Sequence, residues 1–386
     1  MEQQNKKQDI YKGNVTSEQY NGEATFIIDE AGLTVETAFS GIAFGYEQIK
    51  TINRGDYEVK ISTEQGDICC NRLGQSNDWF CESLLKSYNK AVTKALKVKG
   101  ECLFETRGLM NYEGMVTKGV IQIYEDCICL LPPGVEARRF PFSFITTMKK
   151  ENYSLTMYYS TGERVTLSMV GRDFDSLEKC IIERVRAQRE KNSVLATHIC
   201  ETLTTSETAK AASIILEKLA VPIEDLMTIQ GLYDGVIEKI KASEANYYWN
   251  ILMELCDNEK MAVGIWEIPE EEATKWMIWL AVPSKNEKIA IIEAAFPGED
   301  VATYIYNIPY SWDEFLVILN RGMEAMDFDR ENITISDAEL ISGNNAGKKM
   351  LIHRTPDIQV LRKQFSGRII HHSCESWKKK LIDYIG

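Results

Sequence analysis

The chain contains one stretch twice. Shifted by 96 positions, Ala24–Leu73 falls on Val120–Met169 without a gap. Phe44 lands on Phe140, Ile49 on Ile145, Ile52 on Met148, Tyr57 on Tyr153 and Gly66 on Gly162. Elsewhere apolar answers apolar, as in Ile27 and Ile123, Val59 and Leu155, Ile61 and Met157. A further one-residue shift sets Gly74 on Gly171 and Phe80 on Leu177. A period of this length is a whole small domain, far longer than a solenoid repeat, so the sequence predicts two tandem copies of one fold.

Each copy reads as short strands followed by one helix. In the first, Ala24–Ile28, Leu33–Glu36, Ile42–Tyr46, Gln48–Arg54, Tyr57–Ser62 and Asp67–Arg72 are runs rich in β-branched and aromatic residues. Asp29–Gly32, Arg54–Asp56 and Gln65–Asp67 separate them with turn chemistry. Tyr57, Val59 and Ile61 alternate with Glu58 and Lys60, the period of a half-buried strand. Ser76–Asp78 supplies N-cap residues, and Trp79, Phe80, Leu84, Leu85 and Tyr88 follow at helical spacing up to about Lys97. The second copy repeats the pattern over Val120–Tyr124, Cys127–Leu131, Arg138–Phe142, Phe144–Lys150, Tyr153–Tyr159 and Arg164–Met169. A helix from Asp173 or Asp175 to about Ser193 then carries Leu177, Ile181, Ile182 and Val185. Val15–Tyr20 and Leu109–Val116 are candidate leading strands.

The segments Phe44–Ile49 and Phe140–Ile145, the strand with a glycine turn after each, and the single closing amphipathic helix resemble the pleckstrin-homology-like superfamily, including its GRAM-type members. The likeness covers about 20–97 and 116–194, roughly half the chain. It implies a strongly bent sheet of short strands, a β-barrel whose open end a helix caps with its apolar stripe. It also implies two kinds of partner. Anionic lipid would require basic residues near the first strands; the first copy has none between Lys12 and Lys50, whereas the second offers Lys118, Arg138, Arg139, Lys149 and Lys150. Peptides or proteins would use the helix–barrel groove or a strand edge.

Residues 196–258 change to helical periodicity. Thr204–Glu207 marks a start, Ala211, Ile214, Ile215, Lys218 and Leu219 share a face, and Pro222 opens a second helix. Tyr247–Leu255 is a third. Strands are predicted over Met261–Ile268, Trp276–Pro283, Lys288–Phe296 and Val301–Ile308, then a helix over Trp312–Met326. Ile333–Ile335 and Met350–His353 read as short strands, and Asp357–Phe365 and Glu375–Ile385 as helices. The expected fold class is α+β: two tandem pleckstrin-homology-like barrels at 1–98 and 99–195, each capped by its C-terminal helix, and a mixed α+β domain at 196–386 (helical over 200–258, antiparallel strands and helices over 260–386).

Charge narrows the partners. The chain carries a net −13. By segment, the net is −3 over 1–97, +1 over 98–195, −17 over 196–347 and +6 over Lys348–Gly386. An acidic body disfavours nucleic acid, and the simplest place for the basic tail is against that body. The longest strongly apolar run, Trp276–Val282, is far too short to span a bilayer, and the polar Met1–Gln8 has no apolar core of a secretory signal. Ten cysteines sit among strand and helix core positions, as small buried hydrophobes do in a reducing compartment. Together these predict a cytoplasmic location.

No complete catalytic constellation emerges. Gly343–Lys348 has three residues between its glycines where a phosphate loop needs four, and Lys349 where it needs a hydroxyl, so it reads as a polar loop. His198 with Cys200, and His371 and His372 with Cys374, lack the paired spacing of structural zinc sites. Cys81 or Cys374 would need a histidine base to act as a nucleophile, and no signature surrounds either. Glu270–Glu272 reads as a solvated charge run. The expectation is therefore a non-enzymatic adaptor or assembly subunit that takes protein partners and no cofactor or metal, and that is able to oligomerise. Peripheral membrane binding through the second copy is the alternative, and activity in the C-terminal domain the third reading. Four of the seven tryptophans fall between 261 and 312. Trp276 and Trp279, three apart on a strand, should face opposite sides of a sheet. If one side is open, one of the two is a candidate partner contact.

Overall fold

The structure is a computed structural model and describes residues 8–243, 245–269, 274–295, 302–371 and 373–386. The first repeat forms β1 (Asp9–Thr16), β2 (Asn21–Ile28), β3 (Gly32–Thr37), β4 (Gly41–Gly45), β5 (Ile49–Arg54), β6 (Glu58–Thr63) and β7 (Gly66–Asn71), then α1 (Asn77–Ala95). These make one antiparallel sheet in the order β4-β3-β2-β1-β7-β6-β5. The second repeat forms β8 (Phe104–Tyr112), β9 (Met115–Ile123), β10 (Cys127–Leu131), β11 (Arg138–Pro141), β12 (Ile145–Glu151), β13 (Ser154–Tyr159) and β14 (Arg164–Ser168), then α2 (Phe174–Ile199). Its order, β11-β10-β9-β8-β14-β13-β12, is the same meander. Even the irregularity repeats: the register slips at Ile49/Thr51 in one sheet and at Ile145/Thr147 in the other.

Alternation decides which side of each strand is buried. Val59 and Ile61 of β6 are buried and Lys60 between them is exposed. The closing helices follow the same logic at helical spacing. Phe80, Leu84, Tyr88 and Val92 of α1 are buried, with the Phe80 ring 5.2 Å from that of Phe26 on β2. Leu177, Ile181 and Val185 occupy the matching stripe of α2.

Several boundaries differ from expectation. Tyr57 precedes β6 in the turn and is exposed, as is Tyr153. The expected strand Leu109–Val116 is broken by a hairpin turn at Glu113 and Gly114, both at positive φ, so β8 and β9 flank it. The expected strand Val15–Tyr20 likewise ends at Thr16, and Ser17–Tyr20 is a turn closed by Ser17 N–H on the Tyr20 carbonyl. Helix α2 does not stop near Ser193. It continues so that Leu195, Ala196 and Ile199 enter the core of the C-terminal part.

That part holds a third antiparallel sheet: β15 (Ala220–Pro222), β16 (Ala262–Pro269), β17 (Thr274–Pro283), β18 (Ile289–Ala295), β19 (Ala302–Asn307) and β20 (Phe365–Ile370), paired in that order. Helices α3 (Thr205–Ile214), α4 (Ile223–Met227), α5 (Gln230–Ala242) and α6 (Ala245–Leu255) precede most of it. Between β19 and β20 come α7 (Trp312–Ala325), α8 (Glu331–Thr334), α9 (Asp337–Ile341), α10 (Ala346–Arg354) and α11 (Pro356–Gln364); α12 (Cys374–Ile385) follows. The start expected at Thr204–Glu207 is a capping box on α3, where Thr204 Oγ1 accepts from Glu207 N–H.

Both faces of this sheet are covered. Ile278, Leu280 and Val282 of β17 face a core shared with α2, α5, α6 and α12. Trp279 and Ala281 face a second core shared with α7, α10 and α11, and that core runs on without interruption into the first repeat. The premise of one open face therefore fails. Trp279 is 0% exposed, seated over Gly264 with its ring 5.6 Å from Phe328, whereas Trp276 is half-buried on the opposite face under the Lys239 ammonium, 4.6 Å from its ring. The segments expected as short strands at Ile333–Ile335 and Met350–His353 are helical instead, within or beside α8 and α10. No described helix is long and apolar enough to cross a membrane.

Candidate functional site

Several buried charges lie where the three parts of the chain meet. Arg139 of β11 projects away from its own sheet onto α7, and its Nη2 donates to the Glu324 carbonyl at 2.9 Å and to Glu324 Oε1 at 2.5 Å. One turn earlier on α7, Arg321 is paired with Glu163 and lies 5.3 Å over the Phe140 ring. Arg139, Arg321 and Glu324 are all buried. Burial opposes the charge on each arginine, yet Glu324 beside Arg139, and Glu163 with Glu324 beside Arg321, hold both guanidinium groups above their ordinary values. Asp357 at the start of α11 stands beside this group; burial raises its carboxyl to about 6, although Arg321 pulls the other way.

A second junction joins all three parts at one side chain. Tyr88 of α1 donates its hydroxyl proton to the Gly134 carbonyl of the second repeat at 3.2 Å. The same oxygen accepts from Arg354 Nη2 of α10 at 2.6 Å. Arg354 is 1% exposed. The Gly134 loop also extends the first sheet: Ile52 N–H on the edge strand β5 donates to the Pro133 carbonyl at 2.8 Å, and Thr51 pairs antiparallel with Gly134. A third junction is ionic. Lys99 and Lys218 both reach Asp327, at 2.7 and 3.0 Å, and hold its carboxyl below the usual value against the opposing effect of burial. Partners in these junctions lie far apart in sequence, so residue patterns along the chain could not have revealed them; the Arg138-Arg139 pair beside the aromatic segment Phe140–Phe142 was a signal, but of charge and not of its partner.

A polar knot closes the far edge of the third sheet. Thr303 Oγ1 accepts from Trp377 Nε1 at 2.7 Å and donates to Glu293 Oε2 at 2.5 Å. With its only proton spent on Glu293, it accepts from His371 Nε2 at 2.7 Å, which assigns a proton to that ring nitrogen. Thr303 is fully buried, so the knot fastens β20 and α12 to the sheet rather than presenting a nucleophile.

The sequence-predicted residues are not gathered in one place. Arg138 forks onto Glu113 at 3.0 Å, Arg139 is spent on Glu324, and Lys150 is bonded to Glu178 at 2.5 Å. Lys118 on β9 and Lys149 on β12 are exposed without a carboxylate partner among the described residues, but they lie on strands separated by three others in the sheet. Arg139 in particular faces α7 and cannot reach a lipid surface. His198 pairs with Glu267 at 2.9 Å while Cys200 meets Thr202, and no group of three His, Cys, Asp or Glu is placed to hold a metal among the described residues. Glu270–Glu272 and His372 lie outside the described residues. Cys81 is buried, which pushes its thiol up and away from a reactive thiolate. Gly343–Lys348 does run into a helix, α10, contrary to expectation, but Lys348 is tied to Glu331 and the preceding element is helical. The cavity there, about 650 Å³, mixes Glu331 and Glu339 with Lys348 and Arg368.

Compared with known proteins, the sequence matches no family model and no curated protein. Among solved structures it is similar to the Spt16D Pob3N heterodimer, at 13% identity over 40% of this chain and 85% of that one, with a TM-score of 0.18. A likeness of that extent says nothing of what this chain does.

Proposed function

We propose that this chain is a non-enzymatic assembly subunit or adaptor, built from two pleckstrin-homology-like domains (1–98 and 99–195) and an α+β domain (196–386), that binds protein partners in the cytoplasm. One observation carries the reading: Arg139, Arg321, Glu324, Tyr88 and Arg354, all buried, are spent on contacts between the three parts. A chain that fixes its domains against each other in this way presents a rigid composite surface, and rigidity lowers the entropic cost of binding. The repeated strand order with one terminal helix packed on each sheet supports the superfamily assignment. Ten free cysteines, five of them buried, support a reducing compartment. Trp276, the half-buried member of the tryptophan pair, is the proposed partner contact in the C-terminal domain.

Native purification of the endogenous protein followed by native mass spectrometry tests this. The expected result is a stable hetero-complex that Trp276→Ala weakens at a temperature where circular dichroism shows the variant still folded. A lone chain bound to no other protein, under conditions that preserve known complexes, would refute it.

A further inference from the structure

In the first repeat the edge strand β5 is covered by the hairpin tip of the second: Ile52 N–H reaches Pro133 and Thr51 pairs with Gly134. The 96-residue register places Thr147 and Met148 of β12 where Thr51 and Ile52 stand, and Thr37 and Ala38 where Pro133 and Gly134 stand. Among the described residues, the second repeat thus owns the same edge with no second strand paired to it, Arg189 bonding its Thr146 carbonyl, and the first repeat owns the same tip with no strand under it.

Ile52 is buried, but Met148 is only half-buried, and Thr146, Thr147 and Lys149 beside it are exposed. At the tip of the β3–β4 hairpin, Phe39 is 100% exposed. The tip is held in shape by Thr37 N–H on the Ser40 carbonyl at 2.7 Å and Ser40 N–H on Thr37 Oγ1 at 3.1 Å. A rigid tip bearing a bare aromatic ring is costly to leave in water and cheap to bury. An uncovered edge strand is a template for another strand or loop.

We propose that β12 docks the β3–β4 hairpin tip, Thr37–Ser40, of a second copy of this chain, repeating between molecules the contact that the two repeats make within one. This rests on the assembly-subunit reading and names a partner for it. The contact joins two different surfaces, so it is heterologous and propagates head to tail instead of closing on itself as a two-fold dimer would. One departure shapes it. The position of Tyr88, whose hydroxyl meets Gly134 in the internal contact, is taken by Val185 in the second repeat. Arg189, one turn further along α2 and already reaching the Thr146 carbonyl at 3.2 Å, is the donor left to meet the incoming backbone.

Sedimentation velocity on the full chain tests the proposal. The wild type should show a weight-average sedimentation coefficient that climbs with concentration past the dimer value. Phe39→Ser, at a fully exposed site, should abolish the climb. Met148→Pro, which deletes the edge N–H, should do the same, with Thr147→Glu as the second variant should the proline disturb folding. The decisive sample mixes Phe39→Ser with the edge variant: one has a dead tip, the other a dead edge, so the mixture should form a one-to-one dimer and grow no further. A wild type that stays monomeric at all concentrations overturns the proposal. So does self-association that survives Phe39→Ser, or a mixture of folded variants that stays monomeric. Binding of the wild type to anionic vesicles that Phe39→Ser abolishes, with no self-association, would assign the tip to a membrane and overturn it equally. None of these failures touches the hetero-complex test, which reads other proteins.

Discussion

Replacing Tyr88 with phenylalanine should cost far more than the loss of one oxygen suggests. The ring keeps its packing, including the edge contact with Tyr46 at 6.3 Å. What disappears is the acceptor for Arg354 Nη2 and the donor to the Gly134 carbonyl. Arg354 is buried, and its Nε already lacks a partner. Its Nη1 keeps only a 3.3 Å bond to the Met350 carbonyl. A neutral buried hydrogen bond is worth about 1 kcal/mol net, but stranding a buried donor costs about 1–3 kcal/mol and more when it is charged, so Tyr88→Phe should destabilise by about 2–3 kcal/mol. Equilibrium urea unfolding measures this. The same change made in an Arg354→Met background, where no guanidinium is left to strand, should cost less than about 1 kcal/mol, the difference being the coupling energy of the pair. An equal cost in both backgrounds would refute the reasoning, as would a single-variant cost below about 0.5 kcal/mol, the ordinary scatter of surface substitutions.

Two further outcomes are expected. Gly264 faces Trp279 across the β16–β17 pair, and a Cβ there would sit 1.8 Å from the indole Nε1, so Gly264→Ala should destabilise by about 1–3 kcal/mol and change the tryptophan fluorescence; an unperturbed spectrum and midpoint would contradict the packing. Asp357 has its carboxyl raised from 3.8 to about 6, so between those values the folded chain binds a proton that the unfolded chain releases; stability therefore falls as pH rises through that window and stays lower above it. The full linkage for two units is about 3 kcal/mol, and partial exposure of the side chain reduces it to about 1–2 kcal/mol. Asp357→Asn should remove this fall and be the more stable protein at neutral pH, which denaturation at pH values on either side of the window checks; identical pH slopes in both proteins would exclude it.

The repeat was legible because two copies constrain each other: the shared spacing from Phe44 to Gly66 and from Phe140 to Gly162 located both meanders. Turns without a strong signal were less so. Tyr112-Glu-Gly-Met115 contains no Asn-Gly or Asp-Gly, and its reversal depends on Glu113 adopting positive φ, which glutamate rarely does. Short apolar runs such as Ile333–Ile335 carry no period long enough to separate strand from helix. β20 is hard to read in the sequence because its inward face, Phe365, Gly367 and Ile369, is interrupted by a glycine, while Ser366, Arg368 and Ile370 are exposed. The three-residue spacing of Trp276 and Trp279 puts them on opposite faces, as they are, but a single strand cannot tell whether its sheet is covered once or twice. The basic residues failed to gather for a related reason: Arg138, Arg139 and Lys150 each meet a carboxylate brought in by another element.

The order of β19 and β20 has a consequence for synthesis. The two strands are neighbours in space, yet 57 residues containing five helices separate Asn307 from Phe365. While the chain emerges from the ribosome, the finished edge of β19 waits with unsatisfied backbone groups until nearly everything else has been made. Tyr304 and Tyr306 stand on that strand, so the waiting surface is aromatic as well as unpaired. A nascent chain stalled between those two strands is the species a chaperone would have most reason to hold.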